Sequence, residues 1–122
     1  MFKEEGLTKS VIGLAMMAHS KLGPGFKEKI YHEGMIVLLK ENNFATLTEK
    51  TFKVYLNKKE VGNFRADLVV DSKIIVEIKA VSGKMPQIFQ SQLVSYLKAS
   101  GLEVGLLLNF GNPSLEFQRV VH

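Results

Sequence analysis

Phe64-Arg65-Ala66-Asp67-Leu68-Val69-Val70-Asp71-Ser72-Lys73-Ile74-Ile75-Val76-Glu77-Ile78-Lys79 is the stretch whose reading decides how this chain folds. Two runs rich in Val and Ile, 68–70 and 74–78, flank a turn signal at Asp71-Ser72, which is the pattern of a β-hairpin. Set into these runs are one acid, a second acid and a lysine. Folding gains nothing from carboxylates there, because a buried charge must be paired or bound to a metal. Glu77 and Lys79 lie two residues apart and share a strand face, while Val76 and Ile78 fill the other. Asp67 and Glu77 can share a face only if the connection after Val70 has an odd number of residues, such as Asp71-Ser72-Lys73. A two-residue turn would send them to opposite faces. Two carboxylates and an ammonium at one sheet edge can hold a divalent cation and activate a water. The pattern points to metal-dependent hydrolysis. The competing explanation, a solvent face of alternating charge, fits poorly with the apolar surroundings of Glu77.

A chain of 122 residues is near the commonest size for one domain and long enough to bury a core, so a single domain over 1–122 is expected. Hydrophobic content of 46% and charge of 23% are ordinary for a soluble globular protein. The absence of cysteine excludes disulfides, thiolate metal sites and cysteine nucleophiles. The apolar run 11–18 is short and continues into patterned helix, and no run reaches membrane-spanning length, so a cytoplasmic location is expected. The net charge is +4, and the excess is local: residues 50–98 hold nine basic side chains against four acids, two of which are Asp67 and Glu77. Such a distribution suits a polyanionic substrate. Lysines that guard edge strands against aggregation are the alternative, and Lys58-Lys59 in a turn fits it.

Apolar periodicity predicts a first helix over 7–21, broken by Gly23-Pro24-Gly25, and a second over 27–41 that buries Ile30, Met35 or Ile36, Leu38 and Leu39. Strands are expected at 46–49, 51–56, 64–70 and 73–80. Pro86 suits the first turn of a third helix, with Ile88, Leu93 and Leu97 on its buried stripe and Gly101 as its cap. Two last strands, 104–110 and 116–121, flank Gly111-Asn112-Pro113. This order gives an α+β fold with a central mixed sheet flanked by helices. On the second helix Glu28 falls in the first turn, where the dipole favours an anion, with Tyr31 on the same face. On the third, Gln92 and Tyr96 share a face.

Taken together, Gly25-x-x-Glu28-x-x-Tyr31, Asp67, Glu77-Ile78-Lys79 and Gln92-Leu93-Val94-Ser95-Tyr96 resemble the GxxExxY protein family. That family lies within the PD-(D/E)XK nuclease superfamily, in the branch similar to RecB-type and lambda-type exonucleases. The likeness continues through Lys98, 104–110 and 119–121. The resemblance implies a restriction-endonuclease-like core and a magnesium-dependent nuclease, a hydrolase of phosphodiester bonds with DNA favoured as substrate. Asp67 and Glu77 would then bind Mg²⁺ or Mn²⁺, helped by the backbone carbonyl of Ile78, while Glu28 reaches the metal directly or through water. Lys79 would orient the attacking water, and Gln92 and Tyr96 would position the lysine, a metal-bound water or a phosphate oxygen. Arg65, Lys84, Lys98 and Tyr31 are the expected nucleic-acid contacts. One departure is Ala66, which stands where the superfamily's name has proline; that position shapes backbone rather than chemistry. A homodimer or a protein partner is a further expectation. The alternative function is a non-catalytic nucleic-acid-binding module, or a subunit of a repair or defence complex.

Overall fold

The computed structural model describes residues 3–122. In chain order it contains α1 (Glu5–Leu22), α2 (Glu28–Glu41), β1 (Thr46–Leu56), β2 (Lys59–Val70), β3 (Ile74–Lys79), α3 (Gln87–Ser100), β4 (Val104–Asn109) and β5 (Glu116–Val121). The strands lie side by side in sequence order, antiparallel except for β3 and β4. A parallel step needs a crossover, and α3 supplies it. The architecture is therefore α+β with a mixed sheet, as the element order implies.

Helices cover both faces of the sheet. On one face, Val11, Leu14 and Ala15 of α1 and Tyr31, Met35 and Leu39 of α2 meet the even-numbered side chains of the central strands, from Leu68 and Val76 to Leu106 and Leu108. On the other, Leu93 and Leu97 of α3 meet Val69, Ile75, Leu107 and Val120. Because β3 and β4 are buried on both faces, they read as largely apolar runs, interrupted in β3 by Glu77. The helical stripes differ from expectation by one residue each. Ile30 is 44% exposed and Ile88 is 66% exposed, while Tyr31 and Phe89 turn inward instead. Leu38 and Ile36 are only partly buried against the core that Met35 and Leu39 fill.

The β1–β2 hairpin departs further from the sequence expectation. Instead of two short strands, residues 46–56 form one long strand, closed onto β2 by a tight turn with Asn57 and Lys58 at φ 51° and 66°. Both signs match a two-residue hairpin loop of the primed type. The register places Glu49 opposite Asp67, between the pairs Thr48↔Leu68 and Lys50↔Ala66. Glu49 sits at φ 50°, and the faces invert there. Leu68 and Val70 point to α1 and α2, yet Ala66, Phe52 and Phe64 point to α3. The ribbon twists at that pair and leaves the sheet, since the β2–β3 ladder runs only from Leu68↔Val76 to Val70↔Ile74.

Candidate active site

The connection between β2 and β3 is the three-residue turn Asp71-Ser72-Lys73. Asp71 and Ser72 take left-handed backbone, and Asp71 Oδ1 accepts from the Ala45 N–H at 2.9 Å, tying the turn to the start of β1. Three residues are the odd number that face-sharing requires, so Asp67 arrives opposite Glu77 where the ladder ends. There the carboxylates replace the missing rungs. The Asp67 N–H donates to Glu77 Oε2 at 2.8 Å, and the Ile78 N–H donates to Asp67 Oδ2 at 2.8 Å. A strand residue's N–H and C=O leave by the same edge, so the Ile78 carbonyl also faces the fork that β2 vacates.

Glu77 is 4% exposed. Burial pushes its carboxyl up to about 8, with Asp67 adding to the rise. Glu28, at the first turn of α2, is also raised, by desolvation and then by Asp67. Lys79 and, for Glu28, His32 oppose these shifts without cancelling them. Among the described residues no ion pair reaches Asp67 or Glu77. Nor do three His, Cys, Asp or Glu side chains converge there as a ready-made metal shell. The donor set nevertheless fits a hard cation. Two carboxylates each spend one oxygen on a backbone N–H and keep the other, and the pair lacks a positive partner. Mg²⁺ is commonly held by one or two carboxylates, with waters and substrate completing its shell.

The loop before α2 explains the Gly-x-x-Glu-x-x-Tyr spacing. Gly25 has φ 110°, a conformation closed to other residues without strain. The Tyr31 hydroxyl donates to the Gly23 carbonyl at 2.6 Å and accepts from the Phe26 N–H at 3.1 Å, while its ring stacks on Phe110 at 4.7 Å. Tyr31 is wholly buried, so the expectation that it touches nucleic acid is corrected: it clamps the loop that aims Glu28. His32, one turn after Glu28, places Nε2 3.1 Å from the Asp67 carbonyl. A cleft of about 300 Å³ lies between α2 and the hairpin, lined by Glu28, Lys29, His32, Glu33, Glu49 and Asp67. The sequence reading missed His32 and Glu49. The four-residue spacing from Glu28 could have pointed to His32. Nothing local could have shown Glu49, whose place depends on pairing with Asp67.

Lys79 is half-buried, with Nζ 4.5 Å from the centre of the Phe89 ring. It acts on Glu28 and Glu77 through space and touches neither. Tyr96 stacks on Phe64 at 4.1 Å. Burial raises its hydroxyl pKa, the charges of Glu77 and Asp67 raise it further, and Gln92 opposes the rise. Ala66 is fully buried beneath α3. Arg65 is exposed and paired with Glu49 at 3.3 Å. Lys84 lines a groove with Glu116 and Gln118, and Lys98 lies on the outer face of α3 beside Val94 and Ser95. Neither lines the acid cleft.

A mixed sheet between helices, with acids facing each other at a strand fork and a lysine two residues beyond the second, is the core layout of restriction-endonuclease-like proteins. The chain belongs to the PD-(D/E)XK nuclease superfamily, whose sequence model matches residues 5–120. It is also similar to the crystal structure of SSO0001, with a TM-score of 0.62 and 26% identity over 98% of this chain. It spans 60% of the SSO0001 chain. Comparison with curated proteins yields no match. No helix among the described residues is long and apolar enough to cross a membrane.

Proposed function

We propose that this chain is a divalent-metal-dependent nuclease that hydrolyses phosphodiester bonds, with DNA as the favoured substrate, and that it belongs to the GxxExxY branch of its superfamily. The observation that carries the reading is the pair Asp67 and Glu77 at the fork of β2 and β3, joined through backbone N–H groups and reached by no ion pair among the described residues. Nucleases of this superfamily typically use a divalent metal. Asp67, Glu77 and the Ile78 carbonyl are the groups that would hold Mg²⁺ or Mn²⁺, with Glu28 reaching it directly or through water. When bound, the ion would polarise the phosphodiester and acidify a water. Lys79, held against Phe89, orients that water and compensates developing negative charge. Tyr96 and Gln92 present donors to a phosphate oxygen or to Lys79. His32 steadies Asp67 through its carbonyl. The branch assignment is supported by the loop clamp of Gly25 and Tyr31 around Glu28. The chain is further proposed to act as one cytoplasmic domain, alone, as a homodimer or with a protein partner.

The test is cleavage of a mixed panel of DNA and RNA substrates with and without Mg²⁺ or Mn²⁺. Metal-dependent cleavage that disappears in Glu77→Ala and Lys79→Ala is expected. Lys79→Met should abolish cleavage while metal affinity is kept and stability falls by no more than about 1 kcal/mol, the usual size of an accessible cation–π contact. One observation favours the alternative of a non-catalytic binding module: Lys79 rests on Phe89 and touches neither acid. Unchanged cleavage in Lys79→Met would make Lys79 a structural residue, and no cleavage of any substrate by the parent would decide for that module.

A further inference from the structure

The β1–β2 ribbon beyond Glu49 and Asp67 takes no part in holding the acids, yet it is the most basic part of the chain. Residues 50–65 carry Lys50, Lys53, Lys58, Lys59 and Arg65 against Glu60 alone, and all five basic side chains are exposed. Lys53 pairs with Glu60 at 3.7 Å and Arg65 with Glu49 at 3.3 Å. Among the described residues Lys50, Lys58 and Lys59 form no ion pair. Residues 59–66 of β2 pair with β1 and not with β3, so the segment is a two-stranded ribbon. Its strand 50–56 is about 23 Å long at roughly 3.3 Å per residue.

Three facts narrow what such a ribbon can hold. Single-stranded nucleic acid is gripped by bases stacking on free aromatic rings. Here Phe52, Phe64 and Tyr96 are stacked on one another, with centroids 5.3 and 4.1 Å apart, so those rings are spent on the contact with α3. Tyr55, 58% exposed, is the single open ring of the ribbon, too few to stack successive bases. Since Phe52 and Phe64 face α3, alternation turns Lys53 and Arg65 to the opposite face, where the charge is accessible. The major groove of B-form DNA, about 12 Å wide, admits a two-stranded ribbon. That of A-form RNA is too deep and narrow.

The geometry points to the β1–β2 ribbon as the element that grips double-helical DNA, lying in its groove with Lys53, Lys58, Lys59 and Arg65 on the backbone phosphates, while Lys50 rests over the Phe52 ring at 5.8 Å. Because the ribbon leaves the sheet at Asp67, the phosphates nearest its base fall beside the acid pair. The proposal rests on the nuclease reading for the fate of the bound DNA, and on the ribbon alone for the binding.

The test compares the parent with a Lys53→Gln, Lys58→Asn, Lys59→Gln triple variant. Asn is chosen at 58 because that position has φ 66° and Asn tolerates left-handed backbone. Fluorescence anisotropy is measured in EDTA across a salt series, with a blunt DNA duplex two helical turns long, its single strand, and the RNA duplex of the same sequence. The parent should prefer the DNA duplex. In the variant, duplex affinity should fall by about tenfold or more, and the salt slope should flatten by about 2.7, or roughly 0.9 per lost phosphate contact, with an unchanged melting temperature. A variant that binds and cleaves like the parent overturns the ribbon proposal, leaves the nuclease reading standing, and identifies the lysines as guards of an open edge. A parent that prefers the single strand or the RNA duplex also overturns it. A parent that binds none of the three overturns both readings.

Discussion

Glu77 is nearly inaccessible, and its carboxyl is pushed up to about 8, first by burial and then by Asp67. In the unfolded chain the same group titrates near 4.5. Between those values the folded protein holds a proton that the unfolded chain has released. The stability contributed by this proton is complete at low pH and is lost as pH rises through the window. The melting temperature of the metal-free protein should therefore decline from about pH 4.5 to about pH 8, a slope that scanning calorimetry in EDTA would read. Glu77→Gln keeps an acceptor for the Asp67 N–H and should flatten that slope. Mn²⁺ should flatten it as well, because metal binding requires the deprotonated carboxylate. A parent curve that is level or rising across the window would show that Glu77 is ionised without help. At the same scale, Tyr31 shows why a motif residue need not touch substrate: its hydroxyl is fully used by Gly23 and Phe26.

Among the elements, β3 and α3 are joined by a loop fastened to the β4–β5 turn. The Asn109 side chain accepts from the Val81 N–H and donates to the Val81 carbonyl, and Asn112 brackets Gly83 in the same way. Phe110 N–H donates to the Lys79 carbonyl at 2.9 Å, so this fastening also fixes the end of β3. Gly111 lies so close that a Cβ there would be 2.3 Å from the Val81 carbonyl oxygen. Gly111→Ala should destabilise the fold by about 2–3 kcal/mol, because neither backbone can step aside as a flexible side chain would. Gly62→Ala, with nothing within 4 Å, is the control and should change stability by less than about 1 kcal/mol. Urea denaturation of both variants checks the contrast. Equal effects would mean that the loop yields freely and does not hold Lys79.

Over the whole molecule, three separate elements bring acids within electrostatic reach of one another: Glu28 from α2, Asp67 from β2 and Glu77 from β3. A cation that binds only the folded state raises the melting temperature by mass action, by about 2.7 kcal/mol of stability at a hundredfold excess over Kd. Millimolar Mn²⁺ should therefore stabilise the parent. Asp67→Asn retains an acceptor for the Ile78 N–H and removes one repulsive charge, so the metal-free variant should be no less stable while its response to Mn²⁺ shrinks. Calorimetric scans of both proteins, in EDTA and in Mn²⁺, provide the check. A flat response in the parent would favour the binding module over the enzyme.

The order of helices and strands, a turn at Asp71-Ser72 and the shared face of Glu77 and Lys79 were legible in the amino-acid sequence alone, whereas the odd length of that turn, with Lys73 in it, was not. Each follows from a local period of two or 3.6 residues, or from turn chemistry confined to a few neighbours. The unbroken β1 strand, the inversion at Glu49 and Asp67, and the fork that opens the site were decided only in the tertiary structure. So were the burial of Tyr31, the outward turn of Ile30 and Ile88, and the reach of His32 to Asp67. These depend on which element covers which face and where one strand stops pairing with the next. Such outcomes are set by contacts between residues far apart in the chain, to which a local period is blind.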